Sequence, residues 1–157
     1  MPKESAGLVM YRMREGELEF LLVHPGGPLW AGKEAGAWSI PKGEAYPGED
    51  RLAAAKREFE EELGCKADGA FIPLSPIKQK NGKIVHAWAF AGDCDPGCTG
   101  SNLFTMEWPP HSGRTDSFPE VDRAAFFNAE QAKERINPAQ LALLQELREK
   151  IAVRKAA

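Results

Sequence analysis

The chain has 157 residues, 43% of them hydrophobic and 27% charged, with a formal net charge of -3. That length suits one domain with a real core and is short for two ordinary ones, and the composition is that of a soluble globular protein. The acidic balance speaks against a surface that tracks a nucleic-acid polymer. No apolar run approaches the ~20 residues that cross a bilayer, and the N-terminus lacks the apolar core of an export signal.

Residues Ala6 to Arg12 and Leu18 to His24 are rich in β-branched and large apolar side chains, and Arg14-Glu15-Gly16-Glu17 joins them, which predicts a hairpin. The unbroken apolar run Phe20-Leu21-Leu22-Val23 predicts a strand covered on both faces. A Gly-rich loop from Pro25 to Gly36 follows, then a short strand around Trp38-Ser39-Ile40. Within that loop Gly27-Pro28-Leu29-Trp30-Ala31-Gly32-Lys33 imitates a P-loop. Glu34 stands where the magnesium-binding Ser or Thr belongs, Pro28 removes a backbone N–H, and no amphipathic helix follows, so a surface loop is the better reading.

The stretch Gly43 to Cys65 opens as a Gly/Pro loop and closes as a helix, predicted between about Glu49 and Leu63, with Gly64 as its left-handed stop. Leu52, Ala55, Phe59 and Leu63 form its apolar stripe, and Glu58, Glu61 and Glu62 centre roughly 110° from that stripe, at the border of core and solvent. Carboxylates at a helix C-terminus oppose the macrodipole by about 0.3–1 kcal/mol each. Glu58 and Glu62, four apart, repel by about 0.2–0.5 kcal/mol. A cation would reverse both penalties, but a solvated acidic face fits the spacing as well.

Beyond the helix, Ala70 to Lys80 and Ile84 to Ala91 predict strands joined by the turn Asn81-Gly82, with Trp88 and Phe90 on one core face. A loop from Gly92 to Ser101 leads to a strand near Leu103 to Trp108. The long segment Pro109 to Pro119 is expected to be irregular, with Ala124 to Phe127 another strand. Asn128 to Arg135 and a segment from Pro138, capped by Asn137, are helical; the second carries Leu141, Leu144, Leu147, Arg148 and Ile151 toward the sheet, and Val153 to Ala157 is expected to fray. Three cysteines, Cys65, Cys94 and Cys98, are odd in number and irregularly spaced, which indicates no disulfide framework and favours a reducing cytoplasm. Cys94 and Cys98 lack the second ligand pair of a zinc finger.

Gly43, five residues, Glu49, seven residues, then Arg57-Glu58-Phe59-Glu60-Glu61-Glu62-Leu63-Gly64-Cys65 agree with every charged and glycine position of the Nudix box. Phe59 and Cys65 are less usual apolar residues at its aliphatic positions. The chain therefore resembles the Nudix hydrolase family. The resemblance implies an α/β/α sandwich with a mixed sheet, a single domain over 1–157, and hydrolysis of a diphosphate linkage with Mg2+ or Mn2+ as cofactor. Carried over by position, Glu58, Glu61, Glu62 and the carbonyl of Lys42 would hold metal. Glu49 supports the site, Arg57 orients it, and Gly43 allows a close turn. Glu58 or the later Glu120 would be the general base. Lys42, Arg114 and Lys78 are candidate phosphate contacts, and Trp30 and Trp108 candidate base-stacking groups, although each also suits an ordinary exposed or packing role.

The run Trp38-Ser39-Ile40-Pro41-Lys42-Gly43 with Pro47-Gly48-Glu49-Asp50 is similar to dinucleoside polyphosphate hydrolases. A small nucleotide, either a dinucleoside polyphosphate or a nucleoside triphosphate, is the expected substrate. A housecleaning hydrolase of damaged nucleotides and a non-catalytic nucleotide-binding regulatory module are the alternatives. Nothing in the sequence sets an oligomeric state.

Overall fold

A two-residue turn at Glu15 and Gly16, with positive φ at both positions, joins β1 (Glu4–Arg14) to β2 (Glu17–Pro25) in the predicted antiparallel hairpin. The computed structural model describes residues 4–95 and 103–156, with side chains to residue 152. Cys98 and the end of the Gly92–Ser101 loop lie outside the described residues, as do the side chains of the segment expected to fray.

The remaining elements are β3 (Lys42–Glu44), α1 (Arg51–Leu63), β4 (Ile72–Pro73), β5 (Ile77–Lys78), β6 (Ile84–Ala91), β7 (Leu103–Glu107), β8 (Thr115–Pro119), β9 (Val121–Asn128), α2 (Ala129–Arg135) and α3 (Leu141–Ala156). A 3-10 turn at Pro138–Gln140 leads into α3, with Asn137 as its cap. The main sheet runs β4-β6-β1-β2-β9, with β3 added to β1 and β5 to β6. β1 pairs parallel with β6 and antiparallel with β2, so the sheet is mixed.

Strand alternation sorts the core into two layers. Phe20 and Leu22 join Val9, Trp38, Leu143, Leu144 and Leu147 on the α3 side. Leu21 and Val23 join Leu8, Met10, Ala55, Phe59 and Leu63 on the α1 side. Both faces of the Phe20–Val23 run are thus buried, as the continuous apolar pattern predicts. The result is the expected α/β/α sandwich, and burying Leu8, Phe20, Leu22 and Phe59 completely stabilises it by about 1.5–3 kcal/mol each. Phe90 is buried beside α1 and Trp88 packs against the same cluster.

Several local expectations are corrected. The segment from Ala70 to Lys80 is not one strand: Pro73 and Pro76 lack the N–H a ladder needs, leaving only the two short pieces β4 and β5. Trp38 and Ser39 make isolated bridges to Ile136 and Val23 rather than a strand, and the ladder resumes after Pro41 as β3. The Pro109–Pro119 segment is not wholly irregular, because Thr115–Pro119 pairs with β7 in a two-stranded ribbon whose Phe104 and Phe118 rings lie 6.0 Å apart. Polar residues at 115–117 hide that strand from a reading by hydrophobic pattern. On α3, Leu143 rather than Arg148 completes the buried stripe. In the last turn before α3, Gln140 is fully buried and its amide joins Ile40 N–H, Ser39 Oγ and Gln79 Oε1, fixing the segment that enters β3.

The cysteine reading is also overturned. Cys65, just past α1, forms a disulfide with Cys94, just past β6, and the two are 29 residues apart in sequence. Irregular spacing concealed the pair, because only the packing of α1 on β6 brings these two ends together. The cysteine-based ground for a reducing compartment is thereby removed. Reduction with a dithiol is expected to lower unfolding stability by about 3–4 kcal/mol, the loop-entropy scale for a cross-link of this span. Urea unfolding with and without reductant checks this, and superimposable curves would contradict it.

Candidate active site

Asp50 caps α1 by accepting a hydrogen bond from Ala53 N–H at 3.0 Å, and Gly64 ends it in the left-handed region at φ 69°. Ala54, Ala55, Phe59 and Leu63 bury the helix on the sheet. The same phase turns Glu58 and Glu62 toward the end of β3, and Glu61 beside them.

Glu58 comes against Gly43 so closely that a Cβ there would lie 2.1 Å from Glu58 Cδ. Gly43 therefore lies in a strand and is required by the approach of a carboxylate, not by the tight turn expected of it. Glu62 is 6% exposed, and its Oε2 is buried with no hydrogen-bond partner. Burial, then the charges of Glu58 and Glu120, push the Glu62 carboxyl up to about 8, against a smaller opposing pull from Lys42. Burial raises Glu58 as well, while Arg57 opposes that shift. Lys42 is displaced downward, first by burial and then by Lys83, with Glu62, Glu44 and Glu58 pulling the other way. For Lys42 and Glu62 alike, burial outweighs their mutual attraction.

Arg57 is the hub of the cluster. Its Nε and Nη2 donate to the two carboxylate oxygens of Glu49 at 2.9 and 3.0 Å. Its Nη1 donates to Glu58 at 2.9 Å and approaches Glu61 at 3.4 Å, and Nη2 also reaches the Glu44 carbonyl at 3.2 Å. The guanidinium lies 3.9 Å from the centre of the Tyr46 ring. Held first by Arg57 and then by the Tyr46 N–H, Glu49 is drawn down to about 2. Tyr46, Gln140 and the contacts of His24 carry no signal in the sequence, because only the fold supplies their partners.

Glu120 follows directly on β8, and with Pro25, Ser39, Lys42 and Glu62 it lines a cleft where β2 ends and β3 and β9 begin. A second hollow near the start of β1 holds Glu4, Arg51 and His86, but these already pair with one another at 2.9 and 3.0 Å. Arg114 is exposed at the far end of the β7–β8 ribbon; roughly 14 Å of strand separates Thr115 from Pro119. Arg114 and Lys78 are not among the residues that line the cleft. Trp30 is 41% exposed in the Gly-rich loop, with Lys33 5.6 Å from its ring centre, and no helix follows Lys33.

Among the described residues, no three His, Cys, Asp or Glu side chains already stand as a metal cage. The donor set nevertheless fits a hard divalent cation. Glu58, Glu61, Glu62 and Glu120 crowd one another electrostatically, and one oxygen of the buried Glu62 lacks a partner. Among the described residues, no helix is long and apolar enough to cross a membrane.

This fold and acidic cleft define a class. The NUDIX domain profile matches residues 1–147, and the chain belongs to the NUDIX family, whose members generally use divalent metals. A curated relative, the bis(5'-nucleosyl)-tetraphosphatase [asymmetrical] of Caenorhabditis elegans, is 45% identical over 62 residues, which is 40% of this chain and 41% of that protein. The match thus spans about two fifths of the relative's length. Among solved structures, a C. elegans Ap4A hydrolase binary complex superposes with a TM-score of 0.68 at 23% identity, covering 94% of this chain and 98% of that one. The NUDIX domain of Shewanella oneidensis NrtR complexed with ADP ribose superposes with a TM-score of 0.67 at 12% identity, covering 96% and 89%. These superpositions show likeness of fold.

Proposed function

We propose that this protein hydrolyses a diphosphate linkage in a small nucleotide, a dinucleoside polyphosphate or a nucleoside triphosphate, with Mg2+ or Mn2+ as cofactor. The observation that carries the reading is the buried Glu62, its one oxygen unsatisfied, among Glu58, Glu61, Glu120 and Lys42. Glu58, Glu61, Glu62 and the Lys42 carbonyl would hold the cation. When bound, it would neutralise phosphate oxygens and acidify water in the cleft.

The chain's own groups account for the rest. Arg57 holds Glu58 and Glu61 in place, and Glu49, gripped through both oxygens, fixes Arg57. The Lys42 ammonium, on the cleft wall, would bind a phosphate oxygen. A carboxylate, Glu120 in the cleft or Glu58 on α1, would take the proton of the attacking water. The 62-residue match to a tetraphosphatase supports dinucleoside polyphosphates ahead of other nucleotides.

The test is a panel of dinucleoside polyphosphates, nucleoside triphosphates and oxidised nucleotides, each with Mg2+ or Mn2+ in 18O-labelled water. Hydrolysis of a dinucleoside polyphosphate, with label in one product phosphate, is expected, and the labelled phosphorus identifies the point of attack. A higher kcat/KM for oxidised bases would instead identify a housecleaning hydrolase. Tight nucleotide binding without turnover would identify a regulatory module.

A further inference from the structure

We propose that His24 is a positioning residue for Glu120, pinning a β-bulge that sets where the Glu120 carboxylate enters the cleft; this rests on the reading of Glu120 given above. His24 is 1% exposed near the end of β2. Its Nδ1 lies 2.8 Å from Asp122 Oδ1, and its Nε2 lies 2.6 Å from the Lys33 carbonyl oxygen. A carbonyl can only accept, so Nε2 donates there, and Nδ1 faces the Asp122 carboxylate. One buried ring thus ties the Gly-rich loop to the strand that follows Glu120.

The strand register explains why this tie matters. His24 opposes Arg123, but the next residue, Pro25, opposes Val121, so Asp122 is the inserted residue of a bulge. The insertion changes the phase of β9. Ala124 and Phe126 face α1 from even positions, yet Val121, at an odd one, faces α1 too. A bulge re-aims its neighbours, and here the neighbour is Glu120, which lines the cleft together with Lys42 and Glu62.

Two backbone contacts hold the other side of the segment. Gly26 N–H donates to the Glu120 carbonyl at 3.0 Å, and a Cβ on Gly26 would lie 2.0 Å from the Pro119 carbonyl oxygen. The segment Pro119–Asp122 is therefore clamped at its backbone by Gly26 and at its side chain by His24. The mechanism gives His24 no other task.

The experiment uses the full chain with Mn2+ and diadenosine tetraphosphate, comparing His24→Gln, His24→Asn and Asp122→Ala with Glu120→Gln. Asp122 is on the surface side of the bond, so its variant keeps the core intact if a His24 variant does not fold. Asparagine still offers an N–H toward Asp122, whereas glutamine offers one toward Lys33. His24→Gln and Asp122→Ala are expected to speed amide exchange at Gly26 at least about tenfold while α1 keeps its protection. Both should lower kcat about tenfold with KM within about twofold, and neither should add to the loss from Glu120→Gln in a double variant. His24→Asn should recover most of the rate.

Unchanged Gly26 exchange, losses that multiply with Glu120→Gln, or an asparagine variant as impaired as the glutamine one would each overturn the inference. If the wild-type protein turns over no nucleotide, the reading of the reaction falls. Gly26 exchange then still decides the clamp.

Discussion

Glu62→Gln is expected to lower kcat by about a thousandfold with either Mg2+ or Mn2+, and at the same time to flatten the pH dependence of the metal-free protein's stability. On the proposed reaction the kinetic loss follows from removing a charged oxygen donor, which would cost several kcal/mol of transition-state stabilisation. The stability effect has its own sign. Burial raises the Glu62 carboxyl from an ordinary 4.5 to about 8, so between those values the native protein holds a proton that the unfolded chain has released. Stability therefore falls as pH rises from about 4.5 through about 8, by at most ~1.4 kcal/mol per pH unit from this group. Glutamine cannot ionise, so the variant should lack that part of the slope. Urea unfolding in chelator at pH 5, 6.5 and 8 isolates it as the difference between the two proteins. Parallel profiles would show that Glu62 is ionised throughout, and an unchanged kcat would remove it from the reaction.

Arg57→Lys is expected to lower kcat by about 10–100-fold, the usual cost of disturbing groups that orient ligands. The charge survives this change, but the geometry does not. Lysine has no planar fork with which to grip both oxygens of Glu49, reach Glu58 and lie flat on Tyr46 together. Glu58 and Glu61 would then no longer share one guanidinium. A companion Glu49→Gln variant should fall in the same direction, and the double variant should lose little more than Arg57→Lys alone. Multiplying losses would mean that Glu49 acts on the site by a route other than Arg57. The same pair predicts an acid signature: Glu49, drawn down to about 2, contributes stability above its ordinary range that is lost as pH falls through about 2. Arg57→Lys should move that loss to higher pH.

The contrast between these two positions shows how much of the site was legible in the chain. Arg57 and its partner Glu49 lie eight residues apart, and helical phase already brought Glu58, Glu61 and Glu62 to one border of α1. Local spacing sufficed because a helix converts sequence distance into direction. Resemblance alone points to Glu120, and its place in one cleft with Lys42 and Glu62 comes from the fold. In the sequence Lys42 is a candidate metal ligand through its carbonyl and a candidate phosphate contact, but its burial depends on the strands around it.

The sequence by itself determined the hairpin of β1 and β2, the two-faced burial of Phe20–Val23, the stop of α1, and the family to which its acidic end belongs. These depend on interactions within a turn or two, or on periods of two and 3.6 residues, which a linear reading can count. Only the tertiary structure decided that Cys65 meets Cys94, that Thr115–Pro119 is a strand, that Gly43 makes room for Glu58, and that buried His24 reaches Asp122 and Lys33. Each is a contact between segments whose meeting depends on how the sheet is ordered, and no local pattern encodes that order.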